Sequence, residues 1–504
     1  MPSMIAPLRR ATQVAAERTA VSCGELRLTY AETWERCRRL AGALEQLGVR
    51  EGERVAVVGP NCHRYLELYQ AVPGSGRVLV PLNQRHSDAE LGYALADAGA
   101  KVLFSSFEVD TLPDCVGHVI DLSMHDGYEA LLADATPAEL PELPDDTLAG
   151  LFYTGGTTGA AKGVMLTHRN LVANSFHVQA GWQFGPDTRW LVAAPLFHAA
   201  GTFAALATVW HGGCHVILPS FDPAVALDLI ERHGVNSTLL VPSMLAAITE
   251  EQLARPRDIS SLRLLAHGGA PAATDTLRRA HSTFPDAELM HLYGATETAP
   301  IATVLQHEER ILDTPRAGSC GQPAVGVDVE VATIDGRPLP AGEIGEVWIR
   351  GANVMAGYWN KPEETEAALV RGWYRSGDLG YLDDDAYLFL VDRVKDMIVT
   401  GGENVYSTEV EDVLYKHPAV LEAAVFGIPD ERWGEAVHAL VVLRAPVTED
   451  ELIQHCRVAI AAYKVPKRVE FSEQPLPKSG AGKLLKRELR APYWKGRQSM
   501  VSGA

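Results

Sequence analysis

The sequence predicts an α/β fold in which a large N-terminal domain of parallel-rich sheets covered by helices precedes a smaller α+β domain. The length of 504 residues is one reason, because a single hydrophobic core rarely extends beyond about 250–300 residues. A second reason is that short apolar runs alternate with helical stretches through the first half, an order typical of parallel sheets. The predicted strands are Arg54–Val58, Val78–Val80, Lys101–Phe104, Leu148–Tyr153, Trp190–Ala193, His215–Leu218, Ser237–Val241 and Leu262–Ala266, and the predicted helices are Thr33–Gly48 and Asp88–Ala98.

The second half of the chain changes pattern twice. Strand-like runs separated by turns such as Asp335-Gly336 predict a small, mostly antiparallel, β-barrel-like subdomain. A compact α+β pattern follows, and we place the domain boundary before it, which gives domains at 1–394 and 395–504. Ser407, followed by two glutamates, is predicted to cap the first helix of the second domain. The predicted elements are Val327–Ile334, Gly345–Ile349, Ala386–Val391, Ala423–Gly427 and Val437–Leu443 as strands, and Ser407–His417 and Glu449–Ala461 as helices.

The charge balance argues against nucleic acid as a partner. The formal net charge is −19, whereas a phosphate backbone is bound mainly by Lys and Arg. The segment from Lys464 to the end nevertheless carries ten Lys or Arg and three acidic residues. Such a basic segment is compatible with a solvated surface or with a site for an anionic cofactor.

Targeting and redox features point to the cytoplasm. The sequence lacks the run of about 20 apolar residues that a transmembrane helix needs, and its N-terminus lacks the apolar core of a secretion signal. The seven cysteines form no CxxC pair and no metal-binding spacing, so we expect reduced thiols.

A loop rich in glycine and threonine follows the predicted strand Leu148–Tyr153. Its glycines allow backbone N–H groups to face inward, its hydroxyls add donors, and Lys162 adds a positive charge, which together suit a polyphosphate. The P-loop of NTPases requires G-x-x-x-x-G-K-[ST], and Gly163 stands where that Ser or Thr should be. A flexible surface loop remains the alternative. The candidate phosphate-binding residues are Thr154, Gly155, Gly156, Thr157, Thr158, Gly159 and Lys162.

Four further stretches carry residues suited to nucleotide chemistry. The segment Tyr293–Glu297 (YGATE) offers an aromatic face for a purine, a hydroxyl, and a carboxylate suited to Mg²⁺ near phosphates. The carboxylate of Asp378, in the segment RSGD, is suited to accept hydrogen bonds from two ribose hydroxyls. Lys483 lies between glycines and apolar residues in a segment predicted to be mobile. His198, in the apolar run PLFHAAG, would on its own be more typical of a core histidine.

Seven stretches follow one another along the chain: the glycine-rich loop, PLFH, YGATE, RSGD, DRVKDMI, GGENVY and PKSGAGK. As an ordered set they resemble the adenylate-forming superfamily. That superfamily contains acyl-CoA synthetases, 4-coumarate–CoA ligases, luciferases and peptide-synthetase adenylation domains. The resemblance covers essentially the whole chain. It implies an ATP-dependent acid–CoA ligase that first forms an acyl-adenylate with release of pyrophosphate and then transfers the acyl group to the thiol of coenzyme A. ATP, Mg²⁺, CoA and a small carboxylic acid are the implied cofactors and partners.

The resemblance also implies a role for each matching residue. The glycine-rich loop binds the ATP phosphates, Tyr293 packs on adenine, and Glu297 holds Mg²⁺. Lys483 contacts the carboxylate and the α-phosphate from a mobile C-terminal domain, which pivots near Lys395 before the second step. The implied catalytic residues are Lys483, Thr296, Glu297 and His198. The implied nucleotide- and CoA-binding residues are the loop residues above with Gly269, Ala270, Pro271, Tyr293, Gly294, the ribose ligands Asp378 and Arg393, and the tunnel glycines Gly401 and Gly402. Arg432, Lys464 and Lys467 are candidates for the CoA phosphates.

Three residues depart from the family pattern. Gly155 stands where the family usually has Ser, so one hydroxyl donor is lost but the backbone donor stays. Ala161 replaces a frequent Pro, which predicts a less rigid loop. His291 stands where Asn or Gln often precedes the tyrosine by two residues, which leaves the adenine-side contact at that position open.

The acid is predicted by elimination. The residues after Phe197 lack the aspartate with which amino-acid-activating relatives bind an ammonium group. Leu292 stands where malonate-specific relatives have Arg. The expected pocket wall is apolar and mostly small, which suits a medium- or long-chain fatty acid or an aryl acid. Its residues are Phe197, Ala199, Ala200, Gly201, Thr202 and Phe203.

Three rival functions stay open on the sequence alone. One is an acyl-AMP ligase that loads a carrier protein, one is a luciferase-like oxygenase, and one is a non-catalytic nucleotide-binding protein. The sequence also leaves the oligomeric state open, with a homodimer among the alternatives.

Overall fold

The computed structural model describes residues 1–110, 112–123, 125–154, 161–182, 184–270, 272–401, 403–430, 432–478 and 484–495, with the backbone alone at residues 125, 203 and 204. The chain forms two compact units. The first unit contains Met1–Val329 and Ile349–Arg375, and the second contains Glu330–Trp348 and Ser376–Ala504. The predicted boundary at 394/395 lies inside the second unit and stays a prediction.

The helices are α1 (Ala6–Ala15), α2 (Tyr30–Gln46), α3 (His63–Gly74), α4 (Asp88–Ala98), α5 (Ala130–Asp134), α6 (His168–Gly181), α7 (Ala200–Trp210), α8 (Pro223–His233), α9 (Pro242–Ala254), α10 (Thr274–Thr283), α11 (Pro362–Ala368), α12 (Ser407–Tyr415), α13 (Glu449–Ala459) and α14 (Lys486–Arg490). Single turns of other helix types lie at His125–Glu129, Thr296–Thr298, Glu308–Arg310 and Ala491–Trp494.

The strands up to residue 293 are β1 (Thr19–Cys23), β2 (Leu26–Thr29), β3 (Arg54–Val58), β4 (Val78–Leu82), β5 (Ala100–Ser105), β6 (His118–Asp121), β7 (Leu148–Thr154), β8 (Lys162–Thr167), β9 (Arg189–Val192), β10 (Cys214–Ile217), β11 (Ser237–Leu240), β12 (Leu264–Gly268) and β13 (Glu288–Tyr293). The later strands are β14 (Thr303–Leu305), β15 (Gln322–Pro323), β16 (Val327–Ala332), β17 (Gly345–Gly351), β18 (Gly357–Tyr358), β19 (Leu369–Val370), β20 (Trp373–Leu382), β21 (Leu388–Arg393), β22 (Ile398–Thr400), β23 (Glu403–Val405), β24 (Val420–Asp430), β25 (Gly434–Leu443) and β26 (Arg468–Ser472).

Two large sheets dominate the first unit. One has the order β15-β14-β13-β12-β11-β9-β10-β1-β2 and the other the order β18-β8-β7-β4-β3-β5-β6. The inner strands of both sheets run parallel, whereas β1–β2, β13–β14–β15 and β7–β8–β18 pair antiparallel. The parallel-rich α/β class is therefore confirmed, with antiparallel strands added at the edges.

The central predicted strands are recognisable because both of their faces are buried. The strand β3 (RVAVV) has no solvent-facing alternation, and its last four residues are fully buried, as expected for a central parallel strand. The helix α4 has the predicted bounds, since Ser87 and Glu90 form a capping box and Gly99 ends the helix in the left-handed region at φ 62°. The helix α2 begins earlier than predicted because Thr29, not a later residue, caps it.

An antiparallel region follows, as predicted. It has the strand order β16-β17-β20-β19, with β21 also pairing β20. The pairs β19–β20 and β20–β21 are antiparallel.

The C-terminal α+β region is built on the sheet β23-β22-β25-β24, to which β26 adds in parallel. The helices α12 and α13 pack on it around a core that includes Val410, Leu414 and Leu452. The predicted capping role of Ser407 is wrong, because Tyr406 is the N-cap residue and the Ser407 hydroxyl bonds to Asp392 instead. No helix among the described residues combines the length and apolar character that crossing a bilayer needs.

Candidate active site

The glycine-rich loop connects two antiparallel strands of the seven-stranded sheet. Thr154 ends β7 and Lys162 begins β8, and the two residues pair directly. The Thr154 hydroxyl lies 3.5 Å from the Lys162 carbonyl oxygen. Because a strand and not a helix follows the loop, a P-loop geometry with phosphate at a helix N-terminus does not apply here. The loop residues Gly155, Gly156, Thr157, Thr158 and Gly159 lie outside the described residues.

Lys162 and Glu297 are brought together by an aromatic residue that the sequence analysis missed. The Lys162 ammonium lies 4.9 Å from the centre of the Tyr358 ring, a distance that allows a cation–π interaction. The Tyr358 hydroxyl donates a 2.9 Å hydrogen bond to Glu297 Oε1. Lys162 and Glu297, which are far apart in the sequence, therefore both contact one side chain.

Tyr358 is held firmly in this position. It pairs with Val164 in the antiparallel ladder between β18 and β8, and its backbone N–H donates to the Thr365 hydroxyl over 2.9 Å. Burial, and then the nearby Glu297 carboxylate, raise the pKa of the Tyr358 phenol. The phenol is therefore a neutral hydrogen-bond donor at physiological pH.

The turn that carries Thr296 and Glu297 is fixed through its backbone. The Met355 N–H donates to the Glu297 carbonyl over 2.8 Å, and the buried Asn353 amide donates to the carbonyls of Thr298 and Ile301, both over 2.8 Å. Asn353 is a second residue that the sequence analysis missed. Nothing in its sequence neighbourhood distinguishes it from an ordinary turn asparagine.

Gly268 and Tyr293 end two neighbouring parallel strands, β12 and β13, at the same edge of the sheet. Gly268 at the end of β12 pairs with Leu292 in β13. The carboxyl ends of neighbouring parallel strands form a common edge where ligands usually bind. Gly269 is exposed with φ 81°, a conformation that favours glycine, and Ala270 is half-buried. Pro271 lies outside the described residues.

Close packing against the neighbouring backbone explains why position 294 is a glycine. A Cβ atom there would lie 1.9 Å from the Pro300 carbonyl oxygen. The position therefore requires glycine whether or not a nucleotide binds beside it.

The PLFH segment leaves β9 at the same edge, since β9, β11, β12 and β13 are consecutive parallel strands. Its anchor is the buried amide of Asn61. The Asn61 oxygen accepts from the Leu196 N–H over 2.8 Å, and the amide nitrogen donates to the carbonyls of Val192, Ala194 and Leu218. The loop is thus fixed to the ends of both β9 and β10.

The described side chains of this segment are mostly apolar and largely buried. Phe197 and Ala199 are buried, and Ala200 and Gly201 are half-buried. The Thr202 hydroxyl donates to the Ala199 carbonyl over 2.5 Å, so it adds little polarity. The His198 ring lies 4.5 Å from the Phe197 ring, centre to centre. The side chain of Phe203 lies outside the described residues.

The unusual His291 belongs to a buried cluster. Its ring stacks on His267 with centres 4.8 Å apart, and His267 bonds closely to Glu308. Burial, and then His267, lower the pKa of His291 to about 4. The ring is therefore neutral near pH 7 and is held by the Ser319 carbonyl at 3.2 Å.

The predicted ribose ligands are neighbours in the second unit. Asp378 and Arg393 face each other in the antiparallel pair β20–β21, and Arg393 Nε lies 3.2 Å from Asp378 Oδ1. The Ser376 hydroxyl accepts from the Asp378 N–H over 3.0 Å and fixes the turn.

The predicted CoA residues lie in the second unit as well. Gly401 has φ 61°, and a Cβ atom there would lie 2.7 Å from the Trp433 ring. Arg432 packs 4.6 Å from the centre of the same ring. Lys464 is already paired with Glu409 at 2.7 Å, whereas Lys467 is exposed. Gly402 and Lys483 lie outside the described residues.

Glu297 suits a magnesium ion that binds mainly through substrate phosphates. Its Oε1 accepts from Tyr358, and its Oε2 makes no hydrogen bond to a described residue. No group of three or more His, Cys, Asp or Glu that could hold a metal occurs in the described part of the chain. Mg²⁺ commonly uses one or two carboxylates together with phosphate oxygens and water, so a single well-held carboxylate fits.

Comparison with known proteins defines the class. The family model of AMP-binding enzymes matches residues 8–359, and the model of the AMP-binding enzyme C-terminal domain matches residues 409–483. The chain therefore belongs to the AMP-binding enzymes, and the predicted membership of the adenylate-forming superfamily, in its acyl-CoA synthetase group, is confirmed.

Two relatives and one solved structure show which members of the family this chain resembles. A feruloyl-CoA synthase of an Amycolatopsis species is 44% identical over 97% of this chain and 98% of the relative. A fatty acid–[acyl-carrier-protein] ligase of Streptomyces coeruleorubidus is 35% identical over 94% of this chain and 93% of the relative. The solved structure of o-succinylbenzoate CoA synthetase from Bacillus subtilis with its acyl-adenylate intermediate matches with a TM-score of 0.88 and 33% identity, over 97% of this chain and 98% of that chain.

Proposed function

We propose that this chain is an ATP- and Mg²⁺-dependent acid–CoA ligase that activates a carboxylic acid with an apolar body through its acyl-adenylate. The observation that supports the site best is the group Lys162, Tyr358 and Glu297. It combines a cation suited to phosphate with a carboxylate suited to Mg²⁺, and one phenol contacts both.

In the first step the carboxylate of the acid attacks the α-phosphorus of ATP and pyrophosphate leaves. Lys162 and the loop residues Thr154–Gly159 would bind the phosphates, and Thr296 and Glu297 would lie at the α-phosphate. The bound Mg²⁺ would neutralise charge on the phosphate oxygens. Tyr293, Gly269, Ala270, Pro271 and Gly294 would border adenine, and Asp378 and Arg393 would bind the ribose hydroxyls.

Lys483 would complete this step by stabilising the negative charge that spreads over the α-phosphate in the transition state. We also propose that residues 395–504 act as the mobile domain that delivers this lysine. In the second step the CoA thiol attacks the acyl carbon and AMP leaves. Gly401 and Gly402 would border the path of the thiol.

The acid is proposed to be an aryl or fatty acid. The surface formed by Phe197, Ala199, Ala200 and Gly201 carries no charged group, and burial of an apolar body against it is favourable by about 25 cal/mol per Å². His198 would border the carboxyl end of the acid. Relatives that act on ferulate and on a fatty acid support both classes.

A second candidate keeps the first step and replaces CoA with a carrier protein. The carrier-protein ligase among the relatives favours it, and so does the ion pair that already engages Lys464. CoA remains our first choice because the feruloyl-CoA synthase is more similar to this chain.

The test is pyrophosphate release over a panel of cinnamic, benzoic, medium-chain, long-chain, malonic and amino acids. Each acid is run alone, with CoA, and with a phosphopantetheinylated carrier protein. We expect turnover with aryl or fatty acids and a thioester with CoA. Turnover only with malonate or amino acids would contradict the pocket assignment, and thioester formation only with the carrier would favour the second candidate.

Location and assembly are further proposals. We propose that the enzyme works in the cytoplasm, where ATP and CoA are available, with a homodimer as the alternative to a monomer. Fractionation of cells and light scattering of the purified chain would test the two statements.

A further inference from the structure

A short segment of the first unit bonds to both halves of the candidate phosphate and magnesium site. It comprises residues 352–356, between β17 and β18, and is called here the bridging segment. One half of the site is β8, which begins with Lys162 and leads directly into α6. The other half is the turn Thr296–Thr298, which carries Glu297. The sequence motifs do not include the bridging segment.

The first contact is made by the side-chain amide of Asn170, the third residue of α6. Its oxygen accepts from the Thr167 N–H over 2.9 Å, as part of the capping box at the point where β8 ends and α6 begins. Its nitrogen donates to the carbonyls of Ala352 and Val354 over 2.9 and 2.7 Å. Asn170 is buried, and a buried amide is costly to leave without its partners. One side chain therefore joins the bridging segment to the end of β8.

Backbone bonds make a second contact with β8. The Ala356 N–H donates to the Met165 carbonyl over 3.0 Å. The next two residues, Gly357 and Tyr358, pair with β8 in the antiparallel ladder between β18 and β8. The register of the bridging segment against the strand that begins with Lys162 is therefore fixed to the residue.

The bridging segment also holds the turn that carries the carboxylate. The fully buried Asn353 donates from its side-chain nitrogen to the carbonyls of Thr298 and Ile301, both over 2.8 Å. The Met355 N–H donates to the Glu297 carbonyl over 2.8 Å. These bonds fix the backbone at Glu297 and just after it.

The helix α6 adds a weaker contact with the same turn. Asn174 lies four residues after Asn170 and therefore on the same face of the helix. Its side-chain nitrogen donates to the carbonyls of Thr298 and Ile301 over 3.4 and 3.2 Å. Because Asn353 lies closer to the same two oxygens, we expect it to hold the turn more strongly.

We propose that Asn353 and Asn170 are positioning residues for Glu297, because through the bridging segment they fix its carboxylate relative to β8. The inference rests on the proposed function. Lys162 on β8 would bind the phosphates whose oxygens Mg²⁺ shares with Glu297. Mg²⁺ demands near-ideal octahedral geometry with ligands at about 2.0–2.1 Å. A small displacement of the carboxylate from the phosphates would therefore weaken metal binding and leave the acid pocket unaffected.

The main test is the substitution Asn353→Ala, which removes two bonds to the turn and no group that would contact ATP, metal or acid. One readout is independent of turnover. It is the dissociation constant of Mn²⁺ from the complex with a non-hydrolysable ATP analogue, measured by electron paramagnetic resonance. We expect this constant to rise about 10-fold, as for other outer partners of metal-binding residues.

Kinetics supply the second readout. In Asn353→Ala, the Mg²⁺ concentration for half-maximal adenylation should rise by a similar factor of about 10. The KM of the acid should stay within about 2-fold of that of the unmodified chain, because the pocket contacts are intact. In a Glu297→Gln background, Asn353→Ala should weaken Mn²⁺ binding no further, because the carboxylate that it positions is gone.

Two milder variants keep the inference testable if Asn353→Ala does not fold. Asn170→Asp keeps the acceptor for the Thr167 N–H but replaces the donor to the bridging segment with an oxygen. An acidic group suits the first turn of a helix, so the variant should fold and should weaken Mn²⁺ binding. Asn174→Ala removes only the longer bonds and should weaken Mn²⁺ binding less than about 3-fold.

The matched control is Asn61→Ala. Asn61 is also a buried asparagine whose amide bonds to the backbone, but it holds the PLFH segment instead of the turn. A general loss of stability would affect both variants alike. We expect Asn61→Ala to raise the KM of the acid and to leave Mn²⁺ binding unchanged.

Unchanged Mn²⁺ binding in Asn353→Ala and Asn170→Asp, or equal weakening in Asn61→Ala, would overturn the inference. A further loss of Mn²⁺ affinity in the Glu297→Gln background would overturn it too, because the asparagine would then act through another group. Failure of the proposed function looks different. In that case the unmodified chain would form no acyl-AMP with any acid of the panel at any Mg²⁺ concentration.

Discussion

The candidate active-site charges of the two units differ in whether they have an ion-pair partner. In the first unit, Lys162 and Glu297 are held by the neutral Tyr358 phenol, and no described residue of opposite charge lies within ion-pair distance of either. In the second unit, Arg393 is paired with Asp378 and Lys464 with Glu409. The difference shows which of these charges are available to a charged ligand and which already have a partner of opposite charge within the unit.

This difference has an energetic reason. A charge without a counter-charge is costly when desolvated, so a protein places one where a ligand of opposite charge will arrive. A buried ion pair contributes little net stability but is costly to break. Polyphosphate and Mg²⁺ would therefore suit Lys162 and Glu297, whereas the paired Asp378 and Arg393 would suit an uncharged group such as a ribose.

The largest expected effect concerns Lys483. The substitution Lys483→Ala should reduce acyl-AMP formation by about 10²–10³-fold, because charge at the α-phosphate loses a directed donor. Thioester formation from preformed acyl-AMP should change little. Single-turnover measurements of each half-reaction test this, with the exposed Lys495→Ala as the control. Comparable losses in the two half-reactions would remove the assigned role.

The next prediction compares the substitution of a cation that has no ion-pair partner with that of a cation that has one. We expect Lys162→Met to reduce adenylation about 10²-fold and to lower the free energy of unfolding by no more than about 1 kcal/mol, because it removes one cation–π interaction and breaks no ion pair. For Lys464→Met, which loses its pair with Glu409, adenylation should stay within about 3-fold of the unmodified rate. Urea unfolding and pyrophosphate release measure the two quantities. If Lys162→Met left adenylation intact, the contrast between the units would have no functional meaning.

A smaller effect is expected from removing the hydroxyl that links the two motifs. Tyr358→Phe leaves the ring beside Lys162 but removes the donor to Glu297. We expect the Mg²⁺ concentration for half-maximal adenylation to rise about 10-fold, since outer partners of metal-binding residues commonly contribute 10–100-fold in affinity. The control is Tyr381→Phe, whose ring stacks on Phe389 in the second unit. An unchanged Mg²⁺ dependence would mean that Glu297 does not need this hydrogen bond.

The smallest effect concerns pH. Burial lowers the pKa of His215 to about 4, below the unfolded value of about 6.5. Above pH 7 the histidine is neutral in both states and contributes nothing. As the pH falls from about 6.5 to 4, the unfolded chain binds a proton that the folded chain does not, so stability falls by up to about 1.4 kcal/mol per pH unit.

Unfolding by urea at pH 7.5, 6 and 5 measures this slope. His215→Leu should flatten it, whereas the same change at the exposed His118 should flatten it less. Equal slopes for His215→Leu and the unmodified chain would show that other groups govern acid sensitivity.

Local patterns predicted the fold well where a single rule decided the structure. The helix Asp88–Ala98 was predicted with its observed bounds because a capping box and a terminal glycine lie next to it in sequence. The antiparallel edge strands were not predicted, because no pattern in the sequence shows that β7 and β8 pair across the glycine-rich loop. Ser407 was misassigned as a cap because its partner, Asp392, lies fifteen residues away in sequence and is brought close only by the fold.

The prediction of the site has the same limit, because contacts between distant parts of the chain are not visible in the sequence. Thr154, Lys162, Tyr293 and Glu297 are predicted as site residues because each lies in a contiguous motif, and they stay predictions. Tyr358 contacts two of those motifs from a third part of the chain, and no spacing in the sequence indicates that contact. Motifs supply candidate ligand-binding residues, whereas the residues that contact those candidates depend on the tertiary structure.

The central claim is that the carboxylate of the acid attacks the α-phosphorus of ATP. An acid labelled with ¹⁸O in both carboxylate oxygens tests this most directly, with AMP, pyrophosphate and the thioester analysed by mass spectrometry after turnover with CoA. We predict one ¹⁸O atom in AMP and none in pyrophosphate, because the bridging oxygen of the acyl-adenylate leaves with AMP. Unlabelled AMP, or label in pyrophosphate or phosphate, would contradict it.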